Sequence, residues 1–292
     1  MSTKIKIAIV GDVHDRWGDA DRQALVHLQV DLVLFVGDFG NESIEVVRAI
    51  ASIEIPKAAI LGNHDAWYAI RRKKNSTEAD GVKKQLELLG AAHVGFGYLD
   101  FAELGLSVVG SRPFSWGGQK WKNSDFYGDL YGVRSFEEST ALIMESVQKC
   151  AHNTVIFLGH NGATGLGDRP WDICGVDWQL SGGDYGDPDL TEAIAETQNL
   201  GKNVALVTFG HMHHHIKTYS DRFRTTVVNQ KDIVYVNAAA VPRIIEVKNR
   251  THHNFTLVTL EDRGGNYQVR QVSLVWVDPE LGIISEQINY GS

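Results

Sequence analysis

Five short apolar runs in this chain end in glycine, and each glycine is followed by a side chain able to bind a metal. They are IAIVGD reaching Asp12, LFVGD reaching Asp38, AAILGN reaching Asn63, VIFLGH reaching His160 and LVTFGH reaching His211. Runs this short, rich in Ile, Val, Leu and Phe and closed by Gly, have the pattern of buried strands in an α/β sheet. The polar stretches between the first three carry helical spacing, with Leu25, Leu28 and partly Val26 before the second run and Ile44, Val47 and Ile50 before the third. The chain therefore opens β-α-β-α-β. Ligands of such sheets bind outside the carboxyl ends of the strands. The five polar side chains are thus expected at one common edge, where glycine lets the backbone turn sharply and approach a bound group.

Any one of these blocks alone reads as an ordinary strand-to-loop turn. Five together concentrate carboxylate, amide and imidazole groups at equivalent places, which scattered loop residues would not do. Two blocks carry a second donor two residues on, Asp12 with His14 and His211 with His213. On an extended segment residues i and i+2 project to one side, so each pair can face one ion. In FGHMHHHIKTY this selects His211 and His213 as ligands. It turns His214 away and leaves His215 about 6.6 Å beyond His213 on an extended path.

A chain of 292 residues with 43% hydrophobic content can bury a sizeable core. A net charge of −8 lacks the basic excess that draws a whole surface to nucleic acid or anionic lipid. Cys150 and Cys174, the only cysteines, are too few for a disulfide framework and form no CxxC, so a reducing compartment is the expectation. The start MSTKIKIAIVGD has neither a signal-peptide core nor a cleavage site, and no apolar run approaches the roughly 18 residues of a membrane span. A cytoplasmic protein is expected, with no membrane partner.

In order, the blocks GDVH, GDFG, GNHD, GH and GHMH resemble the signature of the calcineurin-like metallophosphoesterases over most of residues 5 to 240. The second and third blocks, GDFGNES and GNHD, depart from the GDxVDRG and GNHE of the serine/threonine phosphatases in that superfamily. Less specifically, the chain as a whole resembles a branch found in cyanobacteria and plastids. The resemblance implies that Asp12, His14 and His213 hold one metal ion, that Asn63, His160 and His211 hold another, and that Asp38 bridges them. Nitrogen and oxygen donors without thiolate suit Mn²⁺ first, with Fe or Zn²⁺ as alternatives. A carboxylate can span ions about 3.5–4 Å apart, and a metal-bound water with a pKa lowered to about 7 supplies hydroxide for in-line attack on phosphorus. The resemblance also makes His64 the general acid for the leaving alkoxide, a role worth about 10²–10⁴-fold. Asp65 is expected to orient His64 or to cap a following helix in DAWYAIRRKK.

Substrate contacts are expected from two segments read as irregular, residues 110–132 and 160–190, since structureless loops longer than about 12–15 residues are usually functional. Arg112 and Arg169 sit in the parallel strings SRPFSW and DRPWD. Their guanidinium groups suit phosphate, and Trp116 and Trp171 could stack on a ring. The alternative is that the tryptophans pin a large loop and the arginines pair with Asp172, Asp177 or Asp184. Arg243 is a third candidate phosphate contact. The acids of residues 168–189 would repel a polyanion, which disfavours extended nucleic acid. At the C-terminus, residues 254–278 read as a β-hairpin turning at DRGG and completing a second sheet, with His252 and His253 on the surface.

The sequence thus predicts a single α/β domain over residues 1–292, two stacked mixed β-sheets flanked by α-helices. Its expected function is hydrolysis of a small phosphomonoester or phosphodiester with two divalent metal ions. The alternative is a catalytically silent metal- or nucleotide-binding scaffold or sensor of the same fold. The oligomeric state is not legible in the sequence.

Overall fold

A computed structural model describes residues 4–71, 80–217, 219 and 221–291. In chain order they form β1 (Lys4–Val10), α1 (Asp19–Leu28), β2 (Leu32–Phe35), α2 (Ile44–Ala51), β3 (Lys57–Ala59), α3 (Gly81–Leu89), β4 (Tyr98–Phe101) and β5 (Leu106–Gly110). There follow α4 (Ser124–Tyr131), α5 (Phe136–Lys149), β6 (Thr154–Leu158), α6 (Pro188–Asn199), β7 (Asn203–Phe209), β8 (Val227–Gln230) and β9 (Ile233–Asn237). The chain closes with β10 (Ile244–Val247), β11 (Arg250–Asp262), β12 (Tyr267–Asp278) and β13 (Gly282–Gly291). No helix among the described residues is long and apolar enough to cross a membrane.

Two mixed sheets flanked by helices result. In the first, β1, β2 and β3 are parallel, and antiparallel pairing extends the other edge of β1 through β11 and β12 to β13, with β10 on β11. The second has the order β4-β5-β6-β7-β9-β8, parallel from β5 to β9 with antiparallel edge strands. Ile5, Ile7 and Ile9 of β1 pack in one core cluster with Val108, Ile156, Leu206 and Val236 of the second sheet. Their alternates Ala8 and Val10 share the opposite face with Leu25 and Leu28 of α1 and Val47 and Ile50 of α2. Strands buried on both faces read as continuous rather than alternating apolar runs. Each fully buried aliphatic side chain contributes roughly 1.5–3 kcal/mol.

The five glycine-terminated runs are divided, three in the first sheet and two in the second. Their ends therefore meet at a junction of two sheets, not along the edge of one. Gly11 permits the approach: a Cβ there would lie 2.0 Å from the carbonyl oxygen of Ala238, just past β9.

Several sequence expectations are corrected. The C-terminal strands extend the first sheet instead of completing the second, because Val258 of β11 pairs with Ile7 and carries the interior face onward. Along β12, Ser273 and Val275 are more buried than Leu274 and Trp276. Segment 110–132 contains helix α4 despite Gly128, held by packing of Phe126 on Phe114 and of Tyr127 on Trp121. Segment 160–190 is irregular only as far as Pro188, which opens α6. After Asn63 the chain makes a 3₁₀ turn, His64–Ala66, and further turns to Arg71 instead of a regular helix, while residues 72–74 of DAWYAIRRKK lie outside the described ones. His253 is buried, with Nδ1 2.7 Å from Asp21 Oδ1, and His252 is largely covered.

Arg243 is in the same cluster, its guanidinium 2.6 Å from Asp21 Oδ1 and bonded to the carbonyl of Arg16 at 3.0 Å. These groups tie α1 to the segment that enters β10. Burial alone would raise the Asp21 carboxyl, but the His253 hydrogen bond and the Arg243 charge outweigh it and hold Asp21 below the usual carboxylate range. A depressed carboxyl stabilises the fold above its unfolded pKa of about 3.9 and loses that contribution as pH falls through the folded value. Asp21→Asn should cost about 3–5 kcal/mol at pH 7 by leaving Arg243 buried and unpaired. The gap to wild type should narrow below about pH 4. Urea unfolding at both pH values checks this, and a gap independent of pH would refute it.

Candidate metal centre

The turns that follow β1, β2, β3, β6 and β7 bring Asp12, Asp38, Asn63, His160 and His211 together, with His14 and His213 beside them. Potential ligand atoms of Asp12, His14 and His213 lie within 4.8 Å of one another, as do those of Asp38, His160 and His211. A third such group, His14, Asp38 and His64, overlaps both. The backbone that achieves this is not extended: Asp12, His14, Asp38 and His211 have φ of 26°, 46°, 54° and 66°. The expectation of i, i+2 pairs on extended segments is therefore corrected. Left-handed backbone at a non-glycine residue costs roughly 1–3 kcal/mol and persists only where the surroundings over-determine it. Gly62 is part of that enclosure, since a Cβ there would meet Asp38 Oδ1 at 2.3 Å and His160 Cε1 at 2.6 Å.

The donor set faces inward with its lone pairs. His160 Nδ1 lies 2.7 Å from the carbonyl oxygen of Val36, which fixes the proton on that nitrogen. His160 Nε2 then presents a lone pair to Asn63 Oδ1 at 2.9 Å and to Asp38 Oδ1 at 3.3 Å. His14 Nε2 and His213 Nε2 stand 3.3 Å apart, and His213 Nε2 is 3.1 Å from Asp12 Oδ2. Asp12 Oδ2 is buried, and His213 Nε2 is the group that faces it. Acceptors converging on acceptors are what bound cations reconcile, so these residues fit divalent metal ions.

Electrostatics follow from the crowding. Burial would raise Asp12, but the hydrogen bond and charge of His213, with His160 and His14 nearby, hold it below the ordinary carboxylate range. Burial and the neighbouring His160 push His211 well below the usual imidazole value. Burial would also lower His213, yet its bond to Asp12 raises it.

His64 borders the same cavity, about 200 Å³, lined also by Asp177, Trp178, Lys217 and Arg224. Its Nδ1 lies 2.7 Å from Asn41 Oδ1, and its ring is stacked on Trp67 at 4.8 Å and 7°. Trp116 continues that stack one ring further, at 5.8 Å from Trp67. Burial lowers the His64 imidazole. The Asp65 carboxylate bonds backbone, not the His64 ring, which is held by Asn41, and it caps no regular helix. It is wholly buried, with Oδ1 accepting from the backbone N–H of Phe39 at 2.8 Å and Gly40 at 3.3 Å, and Oδ2 from Gly62 at 2.7 Å. Asp65 thereby binds the turn after β2 to the turn after β3.

The arginines singled out as phosphate contacts have protein partners instead. Arg112 is buried between Asp187 and Asp189, at 2.8 Å from each. Arg169 is exposed, and its guanidinium bonds Asp172 through Nε at 3.2 Å and a terminal nitrogen at 3.1 Å. Arg243 is in the Asp21 cluster. The arginine that does line the cavity, Arg224, donates to the carbonyls of His213, Pro170, Asp172 and Gly175 and pairs with Asp177 at 3.1 Å. No local pattern in DRFRTT marks it. Asn41, three residues after Asp38 in GDFGN, is likewise unmarked by any local pattern.

The family model for calcineurin-like phosphoesterases matches residues 5–215. Among solved structures, the calcineurin-like phosphoesterase YfkN from Bacillus subtilis is similar at 13% identity and TM-score 0.51, over 98% of this chain and 94% of that one. TT1561 of Thermus thermophilus is 10% identical over 99% and 100% of the two chains, with TM-score 0.47. The Haemophilus influenzae NAD nucleotidase NadN is 10% identical over 98% of this chain and 52% of that one, with TM-score 0.48. Likeness at such identities concerns the fold alone. Among curated proteins none matches.

Asp65→Ala leaves three buried backbone N–H groups without their acceptor, at about 1–3 kcal/mol each. Its stability in urea should fall by at least about 3 kcal/mol. His64→Ala, at a half-buried ring, should stay within about 1 kcal/mol of wild type. Equal stability of the two variants would remove the bracing role from Asp65.

Proposed function

The chain belongs to the calcineurin-like phosphoesterase family, and from that premise we propose that it hydrolyses a small phosphomonoester or phosphodiester with two divalent cations. Asp12, His14 and His213 would hold one ion, Asn63, His160 and His211 the other, and Asp38 would serve both. The observation that carries this reading is the convergence of ligand-competent atoms, above all the His160 lone pair directed at Asn63 and Asp38 and the His14 and His213 Nε2 atoms brought together beside the buried Asp12 carboxylate. Mn²⁺ is the first choice for such a nitrogen and oxygen set, with Fe or Zn²⁺ next. Cations bound there supply Lewis acidity toward a phosphoryl oxygen and make a water more acidic.

The remaining chemistry belongs to the chain. Asn41 Oδ1 accepts a hydrogen bond from His64 Nδ1–H, and the Trp67 face limits ring rotation, so it is the cationic ring whose Nε2–H would protonate the departing alkoxide. Asp65 fixes the backbone on which His64 is mounted. Lys217, which has no ion pair among the described residues, lines the cavity and offers a charge to the phosphate. Residues 1–292 act as one domain, since β11, β12 and β13 complete the sheet that carries Asp12 and Asp38.

Elemental analysis should find two equivalents of divalent metal, and chelation should abolish hydrolysis of an aryl phosphate that Mn²⁺ then restores. Full activity in protein shown to be metal-free would sink the proposal, and metal-dependent nucleotide binding without turnover would favour a sensor.

Two variants refine the assignment. His213→Ala should lose metal and activity. His214→Ala should keep both metals yet unfold at lower temperature, because its Nε2 bond to the Asn237 carbonyl, 3.0 Å, is buried. A third, His64→Ala, should retain metal and slow alkyl esters about 10²–10⁴-fold more than activated aryl esters. Uniform slowing would give His64 another role.

A further inference from the structure

The inward face of the first sheet runs past the cover that the second provides. On β12, Val272 is paired with Val258 and wholly buried between the sheets. Leu274 and Trp276, the next two residues of that face, are only half-buried. They line a cavity of about 320 Å³ whose other walls include Phe223, Thr226 and Pro242. That volume falls in the lower part of the range for small-molecule pockets, about 300–1,000 Å³.

This second cavity adjoins the metal-ligand cavity, for His215 and Arg224 line both. Arg224 is a fixed wall: its Nε and one terminal nitrogen donate to four carbonyls, and the other terminal nitrogen pairs with Asp177 at 3.1 Å. The His215 ring rests on Phe223 at 5.1 Å. Thr226 and Asn289 bond each other at 3.2 Å, so these polar walls need no ligand to satisfy them. Apart from Gln287 and the His214 ring, which is bonded to the Asn237 carbonyl, the rest of the lining is apolar, chiefly Leu274, Trp276, Pro242 and the exposed ring of Phe223.

We infer that this cavity receives an apolar or aromatic body carried on the leaving oxygen of the substrate, while the phosphate lies at the metal-ligand cluster. In a monoester the alcohol is the only organic group, so an occupant that spans both cavities must hang from the leaving oxygen. The inference rests on the phosphoesterase reading and adds a substrate class, esters of apolar alcohols.

Unbranched alkyl phosphates from propyl to octyl test it, because their alkoxides are nearly equal in basicity and differ only in apolar length. With Mn²⁺-loaded protein, kcat/KM should rise by up to about fourfold per buried methylene and level off when the cavity is full. Phe223→Ala and Leu274→Ala should each flatten that gradient. Because Leu274→Ala leaves a void near the sheet interface, Phe223→Ala, at an exposed ring, is the variant that keeps the test valid if the other misfolds. Octanol should also perturb tryptophan fluorescence saturably, and Trp276→Phe should abolish the signal. Hydrolysis of every ester at a rate independent of chain length, with no octanol signal, would overturn the inference and leave the phosphoesterase reading intact. Failure to hydrolyse any phosphate ester would remove both.

Discussion

Everything around the site answers to one electrostatic constraint: seven inward-facing oxygen and nitrogen donors gathered at the junction of two sheets. Without a cation between them such groups repel, and several are buried where water cannot screen them. The fold must therefore hold them against their own repulsion. Left-handed backbone at Asp12, His14, Asp38 and His211 concentrates the strain at the tips of otherwise regular strands. Glycines at the strand ends remove the Cβ atoms that would keep the tips apart.

What resists the strain is a second layer of polar groups that never face the cavity. Asp65 draws three backbone N–H groups from two different turns onto one carboxylate. The Val36 carbonyl sets the tautomer of His160, and Asn41 sets that of His64. Burial and the nearby Asp38 push the Asp65 carboxyl well up, while its N–H donors from Gly62, Phe39 and Gly40 act in the opposite direction. These contacts preorganise the site, so that donor positions depend on rigid strands and not on mobile loops.

The two irregular segments are also more constrained than their composition suggests. Arg112, enclosed by Asp187 and Asp189, joins the segment after β5 to the start of α6. Arg224 gathers the carbonyls of residues 170–175 and of His213 around one guanidinium. In each case the arginine satisfies backbone or carboxylate groups that irregular chain would otherwise leave unpaired. The exposed tryptophan of this region, Trp178, reaches the cavity, whereas Trp171 packs on Tyr219.

The sequence by itself determined the strand-ending blocks, the helices between the first three, the two-sheet α/β architecture and the gathering of Asp12, His14, Asp38, Asn63, His160, His211 and His213. The blocks and helices are written in local periodicity and in residues adjacent along the chain, while the two-sheet architecture and the full ligand set follow from the family resemblance that those blocks carry. Only the tertiary structure decided that the blocks divide between two sheets and that the C-terminal strands extend the first. It also decided that Arg112 and Arg243 are enclosed in ion pairs while Arg224, Trp178 and Lys217 line the site. The physical reason is range: strand patterning and turn chemistry act over a few residues. The partner of a buried charge is chosen by sheets folding together, as when Arg243 meets Asp21 from 222 positions away.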